Sequence, residues 1–366
     1  MQIKVVLVVG ARPNFMKIAP LWLEVNRSPS SFTPVLLHTG QHYDYEMSKV
    51  FFEDLDLPEP DYFLGVGSGT HAEQTARTMI EFEKVLVKER PDLVMVVGDV
   101  NSTLACSVTA KKLLIPVAHV EAGLRSFDMT MPEEINRKVT DAISDFLFTP
   151  SMDGNRNLVR EGVRPDKIHF VGNIMIDSLI RVLSRITELD EHRVLNEFGL
   201  EKGRYVLVTL HRPSNVDQKE TLWEILDFLN TLSPRIPIIF PVHPRTKKNM
   251  DGFRVSEPLH QNFKIIEPLR YKEFIALEKK PRFVLTDSGG IQEETTYLNI
   301  PCLTLRPNTE RPVTIVEGSN ELVTIDQLEE KANLILTGNW KQGKIPELWD
   351  GKTGERIVEI LKKMEL

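Results

Sequence analysis

Short apolar runs with almost no polar break recur along the chain, and each stops at glycine, histidine or a charged residue. Residues 3–9 are a β-branched run of this kind, the pattern of a strand buried on both faces. The run ends in Gly10-Ala11-Arg12-Pro13, where Pro13 suits the first turn of a helix and Ile18, Leu21 and Val25 continue on one helical face. The same alternation predicts strands over 34–38, 93–97, 117–120, 146–149 and 168–171, with helices from about Tyr45, over 104–114, from Pro132 and from Ser151. After Gly172-Asn173, helical stretches over 175–187 and 190–198 lead to a second series, with strands over 205–209, 236–240, 283–286 and 302–305. Ile357, Ile360 and Leu361 share one face of a closing helix over 353–364.

Strands alternating with helices predict parallel sheets covered on both faces. The α/β pattern runs twice, which predicts two Rossmann-like domains, 1–172 and 173–352, with 353–366 a closing helix that packs back toward the N-terminal domain. A length of 366 residues also exceeds the usual reach of one hydrophobic core.

Ligands of open parallel sheets bind beyond the carboxyl ends of the strands, where loops converge. Those ends carry the chemistry here. Arg12 and Lys17 follow the first strand, Gln41 and His42 the second, Asp99 the strand over 93–97, and Glu121, Arg125, Glu133 and Arg137 the strand ending at Val120. In the second series, His211-Arg212, His243-Pro244-Arg245 and Asp287-Ser288-Gly289-Gly290 occupy the same kind of position. Taken singly, each cluster has a plainer reading: Asp99 caps a helix, while Glu133 and Glu134 complement a helix dipole and pair with Arg125 and Arg137 on a solvated face. Recurrence at so many strand ends favours a ligand site.

Charge and motif narrow the ligand. A net charge of −7 gives no general attraction to a phosphate backbone, so nucleic acid is excluded as a partner and any anion must be held by locally placed cations. The first turn has Gly10 alone where a dinucleotide fingerprint needs three glycines, and neither the loop 65–70 nor Gly351-Lys352-Thr353 is a phosphate loop. His119-Val120-Glu121 has the His-x-Glu spacing of zinc deaminases, but no paired cysteines complete the site, so no metal is expected there. The two cysteines, Cys106 and Cys302, fit a reducing cytoplasm, and the apolar start of the chain is too short for a membrane span. Ser288-Gly289-Gly290 at a strand-to-helix junction suits an anion, Glu294 further along that helix suits two ribose hydroxyls, and Arg311 adds a phosphate partner.

As a set in this order, Gly10-Ala11-Arg12-Pro13 through Lys17, Gly98-Asp99, His119 to Arg125, Pro132-Glu133-Glu134 through Arg137, Asp287 to Glu294 and Thr309-Glu310-Arg311-Pro312 resemble the non-hydrolysing UDP-N-acetylglucosamine 2-epimerases along nearly the whole chain. The resemblance implies the glycosyltransferase B architecture, with parallel sheets facing a central cleft, a homodimer, and no cofactor. It implies Asp99, Glu121, Glu133 and His211 as catalytic groups, and Arg12, Lys17, Arg137, His243, Ser288, Gly289, Gly290, Glu294 and Arg311 as substrate contacts. The implied reaction passes through elimination of UDP to a glycal, because the C2 hydrogen has no adjacent carbonyl to acidify it, and supplies surface polysaccharide synthesis. The sequence departs from the family pattern at Pro13-Asn14-Phe15-Met16, at His211-Arg212-Pro213-Ser214-Asn215 and at Gln41-His42-Tyr43-Asp44, where some bacterial members use Gln-His-Arg to bind an activating second UDP-sugar. Other readings are epimerisation of a UDP-2,3-diacetamido sugar, hydrolysis to N-acetylmannosamine, a glycosyltransferase, and a non-catalytic nucleotide-sugar sensor.

Overall fold

A computed structural model of the chain describes residues 2–40, 55–253 and 259–364. They fall into two compact units, Met1–Ser178 with Glu347–Leu366, and Leu179–Pro346.

In the first unit, strands β1 (Ile3–Val9), β2 (Phe32–His38), β3 (Tyr62–Phe63), β4 (Leu93–Val97), β5 (Val117–Val120), β6 (Phe146–Thr149) and β7 (Ile168–Phe170) form a parallel sheet in the order β3-β2-β1-β4-β5-β6-β7. Alternate residues of the central strands face opposite helical layers. Val6, Val8, Val94 and Val96 pack with Phe82, Val85 and Leu86 of the helix His71–Glu89 and with Cys106 and Ala110 of the helix Asn101–Lys112. The helix Thr353–Leu361 packs on Arg12–Asn26, burying Ile357, Val358 and Leu361, and its Gly354 N–H donates to Asp177 at 2.8 Å.

The second unit holds β8 (Val206–Thr209), β9 (Ile238–Pro241), β10 (Phe263–Ile266), β11 (Phe283–Thr286), β12 (Cys302–Leu305) and β13 (Asn320–Val323), parallel in the order β10-β9-β8-β11-β12-β13. One face buries Val206, Val208, Ile238, Phe240, Phe283 and Leu285 against Leu222, Leu226 and Leu229 of the helix Lys219–Leu232. Both sheets are α/β and doubly wound. Strand order reverses between β1 and β4 in one and between β8 and β11 in the other, so each unit has a switch point where loops diverge and leave a crevice.

Sequence periodicity found the central strands and the edge strand β7 and missed the other three edges. β3, β10 and β13 lie at sheet edges, and Lys264, Asn320 and Glu321 break their apolar runs because an edge strand has fewer neighbours to bury against. The helix Asn101–Lys112 starts ahead of the predicted Leu104, since buried Ser102 and Thr103 are satisfied by bonds to Thr39 Oγ1 (2.8 Å) and to the Val97 carbonyl (2.9 Å). The expected helix from Tyr45, and with it Gln41, His42, Tyr43 and Asp44, lies outside the described residues. No helix among the described residues is long and apolar enough to cross a membrane.

Candidate active site

Beyond β1, Asn14 sets the entry of the helix Arg12–Asn26. Its Oδ1 accepts from Ala11 N–H at 2.8 Å and its Nδ2 donates to the Val97 carbonyl at 2.9 Å, tying the helix start to the end of β4. One turn on, buried Lys17 forms an ion pair with Glu121, which is itself 4% exposed. Glu121 follows β5 directly with φ +71°, a left-handed backbone that a side chain rarely adopts and that is typical of strained functional positions. Gly98, after β4, has φ +68°, and a Cβ there would sit 2.9 Å from Lys17 Nζ and 3.4 Å from Glu121 Oε2. The glycine therefore lets the β4 turn close on the Lys17–Glu121 pair. The side chain of Arg12 lies outside what the structure describes.

Asp99 does not cap a helix. The cap position of Asn101–Lys112 is Val100, and the Asp99 carboxylate accepts instead from Arg137 Nε (3.0 Å) and Nη2 (2.8 Å). Arg137 Nη1 also donates to Glu134 at 2.7 Å, and Glu134 takes further bonds from Ser126 N and Oγ, both at 2.8 Å. The adjacent glutamates of the helix Pro132–Ile143 thus separate in role: Glu134 is a buried brace, whereas Glu133 is half-buried with no ion pair among the described residues.

Arg125 and Arg137 are not on a solvated face either. Arg125 is 1% exposed, held by Asp141 (2.7 Å) and Glu161 (2.6 Å), so it braces the loop rather than lining the crevice.

In the second unit, Asp287 follows β11 directly and is fully buried. It accepts from the backbone N–H groups of His211 (3.1 Å) and Arg212 (2.9 Å) and from Asn215 Nδ2 (3.0 Å), and its Oδ1 lies 2.9 Å from His211 Nδ1. Burial works against the charge, yet these bonds and the His211 ring hold the carboxyl below the ordinary aspartate range. His211 is oriented so that Nδ1 meets Asp287, and His243 lies beside it with ring centroids 5.4 Å apart. The departure at Pro213-Ser214-Asn215 is structural: Pro213 opens the short helix Pro213–Val216, and Asn215 also donates to the Leu305 carbonyl at 3.0 Å.

Ser288, whose N–H donates to Thr286 Oγ1 at 3.0 Å, stands at the start of the helix Gly289–Leu298 and is followed by Gly289 and Gly290, all three half-buried at the turn where a helix leaves its first N–H groups without intrahelical partners. Arg311 reaches this turn, for a Cβ on Gly289 would lie 2.7 Å from its Nη1. Ion pairs with Glu293 (2.7 Å) and Glu310 fix the guanidinium. Glu294 is buried and accepts from Tyr271 Oη at 2.6 Å, while burial pushes its carboxyl up to about 7. Sequence reading assigns Asn14 and Asn215 no role beyond departures from the family pattern, and Tyr271 none at all. Their partners Val97, Asp287 and Glu294 are distant in sequence, which leaves no local signal.

Two doubly wound α/β units, each with ionisable groups at its switch point, define a two-domain α/β protein with a candidate anion site. The chain belongs to the UDP-N-acetylglucosamine 2-epimerase family, whose profile matches residues 24–362. A UDP-N-acetylglucosamine 2-epimerase of Methanocaldococcus jannaschii is 46% identical over 98% of each chain. A crystal structure of the enzyme from that organism, in complex with UDP-GlcNAc and UDP, superposes with a TM-score of 0.87 at 45% identity, covering 99% of this chain and 100% of the other. The UDP-2,3-diacetamido-2,3-dideoxy-D-glucuronate 2-epimerase of Pseudomonas aeruginosa is 39% identical over 99% of this chain and all of its own.

Proposed function

We propose that this protein interconverts UDP-N-acetylglucosamine and UDP-N-acetylmannosamine without net hydrolysis, by eliminating and re-adding UDP. The observation that carries the reading is the gathering of Asp99 and Glu121 around the Gly98 turn, each carboxylate countered by a cation, with Glu133 open on the next helix. One carboxylate removes the C2 proton as the C1–O bond breaks and its electron pair leaves on UDP, giving a 2-acetamidoglucal. Protonation of C2 from the opposite face, with return of the UDP oxygen to C1, completes the inversion.

Lys17 and Arg137 counter charge in the first unit. In the second, Ser288, Gly289, Gly290 and Arg311 bind the diphosphate, Glu294 the ribose, and His211 and His243 the departing phosphate oxygens, with Asp287 holding the His211 ring. We place the enzyme in the cytoplasm as a homodimer feeding surface polysaccharide synthesis. Light scattering on the purified protein tests the dimer.

The Pseudomonas relative supports a second reading, the same inversion on a UDP-2,3-diacetamido uronate. Proton NMR of the protein incubated with UDP-N-acetylglucosamine in heavy water separates the cases. Two equilibrating UDP-sugars carrying deuterium at C2 are expected. Free N-acetylmannosamine would instead mean hydrolysis, no change would favour the uronate, and complete retention of hydrogen in the epimer would exclude proton removal at C2.

A further inference from the structure

His119 lies on β5 two residues before Glu121, is fully buried, and takes no part in the chemistry proposed above. Its two ring nitrogens each face an acceptor. Nε2 is 2.8 Å from the Gly98 carbonyl oxygen, which can only accept, so this nitrogen carries a proton. Nδ1 is 2.6 Å from Asp141 Oδ1. The other oxygen of Asp141 accepts from Gly123 N–H at 3.0 Å and pairs with Arg125 at 2.7 Å, which marks the carboxyl as ionised. Burial opposes that charge, but His119 and Arg125 together keep Asp141 below the usual aspartate range. Nδ1 is then a donor as well.

We infer that His119 is a positioning residue that donates from both ring nitrogens, and that its bond to the Gly98 carbonyl locks Asp99 in register with Glu121. The turn is clamped in both directions, since Gly98 N–H donates to the Val120 carbonyl at 3.1 Å while His119 donates back to Gly98. The neighbouring strands align His119 with Val96, two residues before Gly98. The charged groups around the ring come from every side: Asp141 from the helix Pro132–Ile143, Arg125 from the loop after β5, Glu161 and Lys138 behind Arg125, Lys17 and Glu121 on the far side of Gly98, and Asp99 with Arg137 beyond it. An alternating series of Glu161, Arg125, Asp141 and His119 thus delivers a positive end to a backbone carbonyl. A neutral histidine would leave one nitrogen facing an acceptor with no proton between them, a costly arrangement in a buried site.

The effect on turnover rests on the proposed epimerase activity, whereas the protonation state does not. The first test is therefore NMR of the wild-type protein with 15N-labelled histidine, recorded at pH 7 without substrate. His119, assigned by its absence in the His119→Gln spectrum, should carry protons on both nitrogens. A neutral tautomer would overturn the inference.

The second test is kinetic. His119→Gln keeps a neutral donor near Nε2 and should lower kcat roughly 10-fold, and His119→Leu, which has none, roughly 100-fold, the scale for an ångström-sized misplacement of a catalytic group. KM and calorimetric UDP affinity should stay within about twofold of wild type. Wild-type kcat in a folded His119→Gln protein would remove the positioning role, even if His119→Leu does not fold. If the wild type fails to interconvert the UDP-sugars while His119 holds both protons, the assigned activity falls and the imidazolium stands.

Discussion

The neighbouring residues Glu133 and Glu134 are chemically identical and differ only in what touches them. Glu134 is enclosed by Ser126, Phe127 and Arg137, whereas Glu133 has no ion pair among the described residues. Glu134→Gln should therefore destabilise the fold by about 3 to 5 kcal/mol, the usual result of removing one partner of a buried charge pair, seen as a lower urea midpoint. Glu133→Gln should leave the midpoint nearly unchanged and lower kcat roughly 10²- to 10⁴-fold, as should Asp99→Asn. Equal midpoints for the two glutamine variants would contradict this division.

Glu278 offers a second contrast at the same scale. It is fully buried, no other residue donates to its carboxylate oxygens, and it bonds to Glu294, so that bond needs a proton of its own. Burial, then the Glu294 charge, pushes Glu278 far above the usual range, and Glu294 rises to about 7. The folded protein keeps protons that the unfolded chain releases near pH 4.5. Stability from this pair is complete below that pH and is lost as pH rises toward and beyond 7. Glu278→Gln should then be more stable than wild type at pH 8 by about 1 to 3 kcal/mol, with little difference at pH 5. Wild-type stability equal to or above that of the variant at pH 8 would contradict this reading of the pair.

The turns after strands decide function at the level of elements. Central strands were legible because burial on both faces demands continuous apolar runs, as in β1 and β4, while edge strands such as β13 carry Asn320 and Glu321 and escape that pattern. Turn geometry was less legible. Gly98 reads in sequence as one more strand-terminal glycine, yet its φ of +68° would strain any side chain, and a Cβ there would come within 2.9 Å of Lys17 Nζ. Gly98→Ala should cost about 1 to 2 kcal/mol or more in stability and lower turnover beyond that of an equally destabilised variant elsewhere. Thermal melts alongside kcat measure both.

For the molecule as a whole, the expected division of labour can be measured by calorimetry with UDP alone. Arg311→Ala and Glu294→Ala should each weaken UDP binding roughly 10-fold or more, because the proposed diphosphate and ribose contacts both lie in the second unit. Asp99→Asn, in the first unit, should bind UDP as wild type does. Undiminished binding in both second-unit variants would place the nucleotide elsewhere.

The sequence by itself determined the repeated βα alternation, the parallel sheets that follow from it, and the ionisable residues collected at strand ends, because hydrophobic period and strand-end chemistry are local properties. Only the tertiary structure decided which of those residues are braces and which are open. Arg125, read as lining a crevice, is enclosed by Asp141 and Glu161, and Asp99, for which a helix cap was the plainer alternative to a catalytic carboxylate, is held by Arg137. The partners of Asn14, Asp141 and Glu278 likewise lie on other elements. Whether a buried charge is satisfied depends on atoms brought together from distant parts of the chain, and that information exists only once the strands are in register.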